Sequence, residues 1–137
     1  MEITPDKQDA IRNRLVESNN FPRLLGFVLD RVEFGRAVLS VEVSERLLQL
    51  QGIMHGGAIA SLVDTAVALA IASISEPGDR FTTVEMKVNY LTPIKEGKAI
   101  ADATLIKAGR RIIVADCSVS DSTGTLAAKA LVTYIRL

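Results

Sequence analysis

The sequence predicts an α+β fold in which one antiparallel sheet curls around a single long apolar helix. Three observations carry this. Residues Gly56 through Ser75 hold one charged side chain, Asp64, and stop at the breaker cluster Glu76-Pro77-Gly78-Asp79. Four runs that read as strands follow, separated by short turn signals, and a hairpin-like pair precedes the apolar stretch. A helix apolar on every side must be wrapped by the rest of its fold, and the sheet is what remains to wrap it.

In order, Thr4-Pro5-Asp6 reads as a helix start, with Thr4 as cap and Pro5 in the first helical position. Ile11 and Leu15 mark the apolar face of a short helix ending near Asn19-Asn20, and Phe21-Pro22 is expected to break it. From Leu24 to Val43 the period becomes two, with a turn at Phe34-Gly35. Residues 44–54 read as a loop, and the long helix follows. Phe81–Leu91 alternates, putting Val84, Met86, Val88 and Tyr90 on one face and Thr83, Glu85, Lys87 and Asn89 on the other. Turns at Glu96-Gly97, Ala108-Gly109 and Ser122-Thr123-Gly124 separate three further strands. Ile113, Ala115, Cys117 and Val119 share a face of the second of these.

At 137 residues the expectation is one domain, 1–137, with residues 1–20 as a helical extension. Sixteen basic and sixteen acidic side chains cancel, and no basic run is present, so no nucleic acid partner is expected. One cysteine and one histidine supply neither a disulfide nor a Cys/His metal site, and they fit a cytoplasmic protein. No cofactor and no metal are expected. Gly56–Ser75 approaches the length of a membrane span, but a charge at its middle costs about 3 kcal/mol on insertion scales, so no membrane is expected either.

The chemistry concentrates in His55-Gly56-Gly57 and Asp64. A helix N-terminus presents unpaired N–H groups and a positive dipole end, which together suit a developing oxyanion. The backbone N–H groups of Gly56 and Gly57 suit that need, since glycine lets a substrate approach the backbone; the pair also eases a tight loop-to-helix turn. A carboxylate among Ala, Leu and Val needs a partner or a task. Nine residues of helix from His55 rise about 13.5 Å and turn about 900°, half a turn in net direction. Gly56 and Asp64 of one chain therefore do not converge on one carbonyl, and a working site needs them from two subunits.

Gly52-Ile53-Met54-His55-Gly56-Gly57 with Asp64, set in this element order, resembles the hotdog-fold acyl-CoA thioesterases, specifically the PaaI-like phenylacetate-degradation branch. The resemblance spans roughly residues 20–137, and Val84–Pro93 is similar to the family's third strand. It implies hydrolysis of an acyl-CoA thioester to free CoA and a carboxylate, by a homodimer or a homotetramer that is a dimer of dimers. Asp64 then serves as nucleophile or as the general base that activates water, and Gly56 as oxyanion donor. His55 takes a supporting hydrogen-bonding role. Gln49 falls where the family carries Asn or Gln, its amide donating to the carbonyl or orienting the water; pairing Gln with Asp departs from the usual PaaI-like pairing of Asn with Asp. Thr83 reads either as a hydroxyl that orients the attacking water or as an ordinary strand residue. Gly57 and Met54 are expected at the substrate, with Ile53 and Leu62 in the acyl pocket. Lys107, Gly109, Arg110 and Arg111 occupy the turn that contacts the CoA nucleotide in relatives, and read either as phosphate ligands or as a solvated hairpin tip. Alternatives within the fold are an acyl-thioester dehydratase or hydratase, a non-catalytic acyl-CoA-binding protein, and a structural oligomer.

Overall fold

A computed structural model describes residues 1–137 as one six-stranded antiparallel sheet packed against one central helix. The chain runs α1 (Pro5–Ile11), a π-helical stretch (Arg12–Glu17), α2 (Asn20–Leu25), β1 (Val28–Glu33) and β2 (Arg36–Glu42). After a 3₁₀ turn (Glu45–Leu47) come α3 (Gly56–Ile74), β3 (Phe81–Tyr90), β4 (Lys98–Ala108), β5 (Ile112–Ser120) and β6 (Leu126–Arg136). The sheet order is β1-β2-β4-β5-β6-β3, so β1 and β3 are the two edges. This is the hotdog architecture, with α3 as its filling.

The apolar composition of α3 is explained by what it buries. Ile59, Leu62, Val63, Val67, Leu69 and Ile71 are all at most 4% exposed. Each such side chain contributes roughly 1.5–3 kcal/mol of burial. Ala99, Ala101, Ala103 and Ala115 face it from the sheet with no exposed surface, and their small side chains let the helix lie close. By length and composition α3 is the one helix able to cross a bilayer; here half of that window is packed inside the protein.

Two expectations are corrected. Phe21-Pro22 does not end the first helical segment; the break falls at Ser18-Asn19, and Pro22 sits in the first turn of α2, where its missing N–H costs no helical bond. On β3 the alternation is interrupted after Thr83. Thr83 pairs with Tyr134 and Glu85 with Thr133, which leaves Val84 as a bulged extra residue, 55% exposed. The bulge turns Thr83 inward to the side of Met86 and Val88, rather than outward with Glu85 and Lys87.

Candidate active site

The loop ahead of α3 is tightly tied. The Gln49 N–H donates to the Ile53 carbonyl (2.8 Å), the Met54 N–H to Ile94 (2.7 Å) and the His55 N–H to Leu47 (2.7 Å). Gly52 closes the turn with φ +75°, a left-handed conformation that side chains disfavour. These bonds seat His55 as the N-cap of α3. Its Nδ1 accepts the Gly57 N–H at 2.8 Å, and its main-chain carbonyl accepts from Ala58 and Ile59 at 2.9 and 3.2 Å. With Nδ1 accepting, the neutral ring carries its hydrogen on Nε2.

Of the glycine pair, one N–H is therefore free and not two. Gly57 is occupied by His55, whereas the Gly56 N–H has no acceptor in the chain. Gly56 opens onto an apolar pocket of about 290 Å³ that Gln49, Ile53, Met54, Ile59 and Tyr90 also line. The Tyr90 hydroxyl donates to the Gly56 carbonyl at 3.0 Å, and a Cβ at position 56 would meet the Tyr90 ring at 3.3 Å. Ile53 and Met54, both expected in an acyl pocket, line this one. Leu62 does not, because it has no exposed surface and belongs to the core. The Gln49 amide is engaged within its loop. Its Oε1 accepts the Gln51 N–H, and its Nε2 donates to Gln51 Oε1 at 3.3 Å.

Asp64 lies two turns further along α3, a rise of about 12 Å from Gly56, among different neighbours. Its Oδ1 accepts from the Thr83 hydroxyl and from the Tyr134 hydroxyl, each at 2.7 Å. Tyr134 is also 3.0 Å from the Asp64 main-chain carbonyl. Oδ2 has no partner in the chain. Burial pushes the Tyr134 hydroxyl well above the ordinary tyrosine range, and the charge of Asp64 adds to the rise, so Tyr134 stays protonated and donates.

Sequence reasoning missed Tyr134. A signal existed: an inward-facing tyrosine on an apolar strand needs a partner for its hydroxyl, and Asp64 was the uncharged helix's only carboxylate. The chain's two tyrosines meet the two halves of the motif, one at Gly56 and one at Asp64.

Lys107, Gly109, Arg110 and Arg111 lie at the β4–β5 turn. Gly109 is required there, since a Cβ would sit 2.8 Å from the Ile112 carbonyl oxygen. The turn is fastened to β6: the Arg136 side chain donates to the Arg110 carbonyl at 3.1 Å and its N–H to the Arg111 carbonyl at 2.7 Å. Arg136 also pairs with Asp79 at 2.6 Å and lies over the Phe81 ring. Because Arg136 faces Phe81 and Tyr134 faces Thr83 in the β3–β6 register, the basic turn shares the Asp64 end of the sheet. Gln49, Met54, His55, Gly56 and Gly57 are gathered at the other end.

Cys117 faces the core with no exposed surface, and burial pushes its thiol up to about 12. The folded protein should therefore show no thiol reactive toward an aromatic disulfide reagent at neutral pH, and one per chain in guanidinium. Absorbance of the released thiolate checks this.

Comparison with known proteins places the chain among thioesterases. Residues 51–128 match the thioesterase superfamily. The medium/long-chain acyl-CoA thioesterase YigI of Escherichia coli is 30% identical over 130 residues, covering 84% of either chain. The 1,4-dihydroxy-2-naphthoyl-CoA hydrolase of Listeria monocytogenes is 30% identical over 102 residues, 74% of this chain and 83% of that one. A mutant structure of the phenylacetic acid degradation protein PaaI from Thermus thermophilus superposes with a TM-score of 0.80 at 28% identity, covering 87% of this chain and 100% of the other.

Proposed function

The chain belongs to the thioesterase superfamily and is a PaaI-like thioester hydrolase of the hotdog fold, and from that premise we propose that it cleaves acyl-CoA at a site shared between two copies. The observation that carries this reading is the unpaired Gly56 N–H, opening an apolar pocket at the start of the helix that also bears Asp64. In it the thioester carbonyl lies at the Gly56 N–H of one protomer, which accepts the charge that develops on oxygen. The partner's α3 brings its own copy of the Asp64 carboxylate to the other face of the carbonyl. That carboxylate either attacks carbon as nucleophile, expelling CoA as the thiolate and forming a mixed anhydride that water then hydrolyses, or takes the proton of a water that attacks carbon and passes it to the departing sulfur. By either route the C–S bond breaks and the products are free CoA and the carboxylate.

The contacts support the remaining roles. His55 caps α3 and leaves the Gly56 donor unobstructed, and Gln49, which gives one Nε2 hydrogen to Gln51, offers the other to the carbonyl or the water. Met54 and Ile53 contact the acyl chain, and Gly57 keeps the approach to the helix start open. Thr83 acts on Asp64. Lys107, Arg110 and Arg111, on the turn held by Gly109, take the CoA phosphates. Sharing is supported by the separation of Gly56 and Asp64 along one helix and by the free β3 edge, ten residues long, that a second copy can cover. The assembly is then a dimer, or a dimer of dimers. A single buried free thiol fits a reducing cytoplasm.

The acyl group is read from relatives that differ: one acts on medium and long chains, another on an aryl-CoA. Release of CoA thiol from short, medium, long and aryl acyl-CoAs tests the reading, with Cys117→Ser as the control for protein thiol. Turnover is expected on at least one panel member, and the ranking of kcat/KM defines the pocket. No turnover with tight acyl-CoA binding would instead favour a non-catalytic binding protein.

A further inference from the structure

We propose that Tyr134 is a positioning residue for the hydrolysis, its hydroxyl fixing one oxygen of Asp64 so that the other alone meets the reacting atoms. This rests on the catalytic reading of Asp64 given above. A carboxylate on a helix rotates broadly about its last torsion, so without partners its two oxygens exchange places. Here Oδ1 carries two donors at 2.7 Å, and they come from residues directly opposite one another on neighbouring strands, Thr83 on β3 and Tyr134 on β6. The strand pair, not the helix that bears Asp64, therefore decides how its carboxylate is turned.

The two donors differ in how firmly they are held. Thr83 reaches Asp64 only because the bulge at Val84 re-aims it, and it lies on an edge strand. Tyr134 is 6% exposed on a strand paired on both sides, with its ring set among core residues. Its hydroxyl also sits 3.0 Å from the Asp64 main-chain carbonyl, so it spans the residue from backbone to carboxylate. Its single hydrogen is shared between these two acceptors, the shorter contact being to the carboxylate, so the sheet holds both the backbone and the side chain of Asp64. Oδ2 is left as the one oxygen with no bond inside the chain.

A thermodynamic cycle between Tyr134→Phe and Asp64→Asn tests this, with kcat, KM and the thermal midpoint measured for both single variants and the double. Phenylalanine keeps the ring and removes only the hydroxyl. Tyr134→Phe is expected to lower kcat about 10–100-fold while KM stays within about two-fold, because the lost contact bears on geometry at the reacting atoms and not on substrate affinity. In the Asp64→Asn background the same change should cost nothing further, since a residue that acts through the Asp64 charge has nothing left to position. Full kcat in Tyr134→Phe overturns the proposal, as does an equal loss in both backgrounds, which marks a packing role. Should Tyr134→Phe not fold, Thr83→Val removes the other donor from the same oxygen and is read by the same cycle. Full turnover by Asp64→Asn itself would instead remove the reading of Asp64 on which the proposal stands.

Discussion

Asp64→Asn is expected to lower kcat for acyl-CoA hydrolysis by about 10²–10⁴, the loss typical of a positioned acid–base or nucleophilic group. The substitution is nearly isosteric. The Asn carbonyl oxygen still accepts from Thr83 and Tyr134, so the two hydrogen bonds that anchor the side chain survive. What disappears is the negative charge and the basic oxygen at the Oδ2 position. Because the apolar packing of α3 does not involve that charge, the oligomer and the thermal midpoint should be close to wild type. A large loss of kcat in a folded protein then reports chemistry and not collapse. Steady-state kinetics on the best substrate of the acyl-CoA panel, beside gel filtration and thermal unfolding, checks this. Unchanged kcat would remove Asp64 from the reaction.

The second large effect is a gain. Gly56→Val places a branched side chain against the Tyr90 ring, where even a Cβ sits 3.3 Å away, and covers the only free N–H at the start of α3. Loss of an oxyanion donor of this kind costs about 10²–10³ in rate. Asp64→Asn and Gly56→Val are thus both expected to be nearly inactive alone. Mixed and reassembled, they should recover about a quarter of wild-type activity, because half the dimers are mixed and each mixed dimer rebuilds one of its two sites. That intact site takes Gly56 from the Asp64→Asn copy and Asp64 from the Gly56→Val copy. The doubly altered site stays dead. If the mixture shows only the sum of the two residual activities, each site is built within one chain, and the shared-site reading fails.

Much of this was legible in residue order because it depends on local signals. The period-two runs, the breaker cluster after Ile74 and the nearly uncharged stretch from Gly56 each record a preference set within a few residues. They placed α3 and the strands that follow it. The same locality explains the errors. Thr83 was assigned to the outer face since alternation is counted without bulges, and a bulge exists only relative to a partner strand. Gly57 looked like a second oxyanion donor since nothing in the order of residues says that the His55 ring folds back to accept its N–H. Leu62 looked like pocket lining on an apolar helix, yet only the sheet decides which side of that helix is sealed.

The sequence by itself therefore determined a buried helix carrying one carboxylate, a helix start with glycine, and an antiparallel sheet to enclose them. Tertiary structure alone decided which hydroxyls reach Asp64, which of its oxygens stays open, and which glycine keeps its N–H. The division is physical: periodicity and helix signals act over neighbouring residues. The contacts at Asp64 join positions up to 70 residues apart, through a cross-strand register that no short window contains.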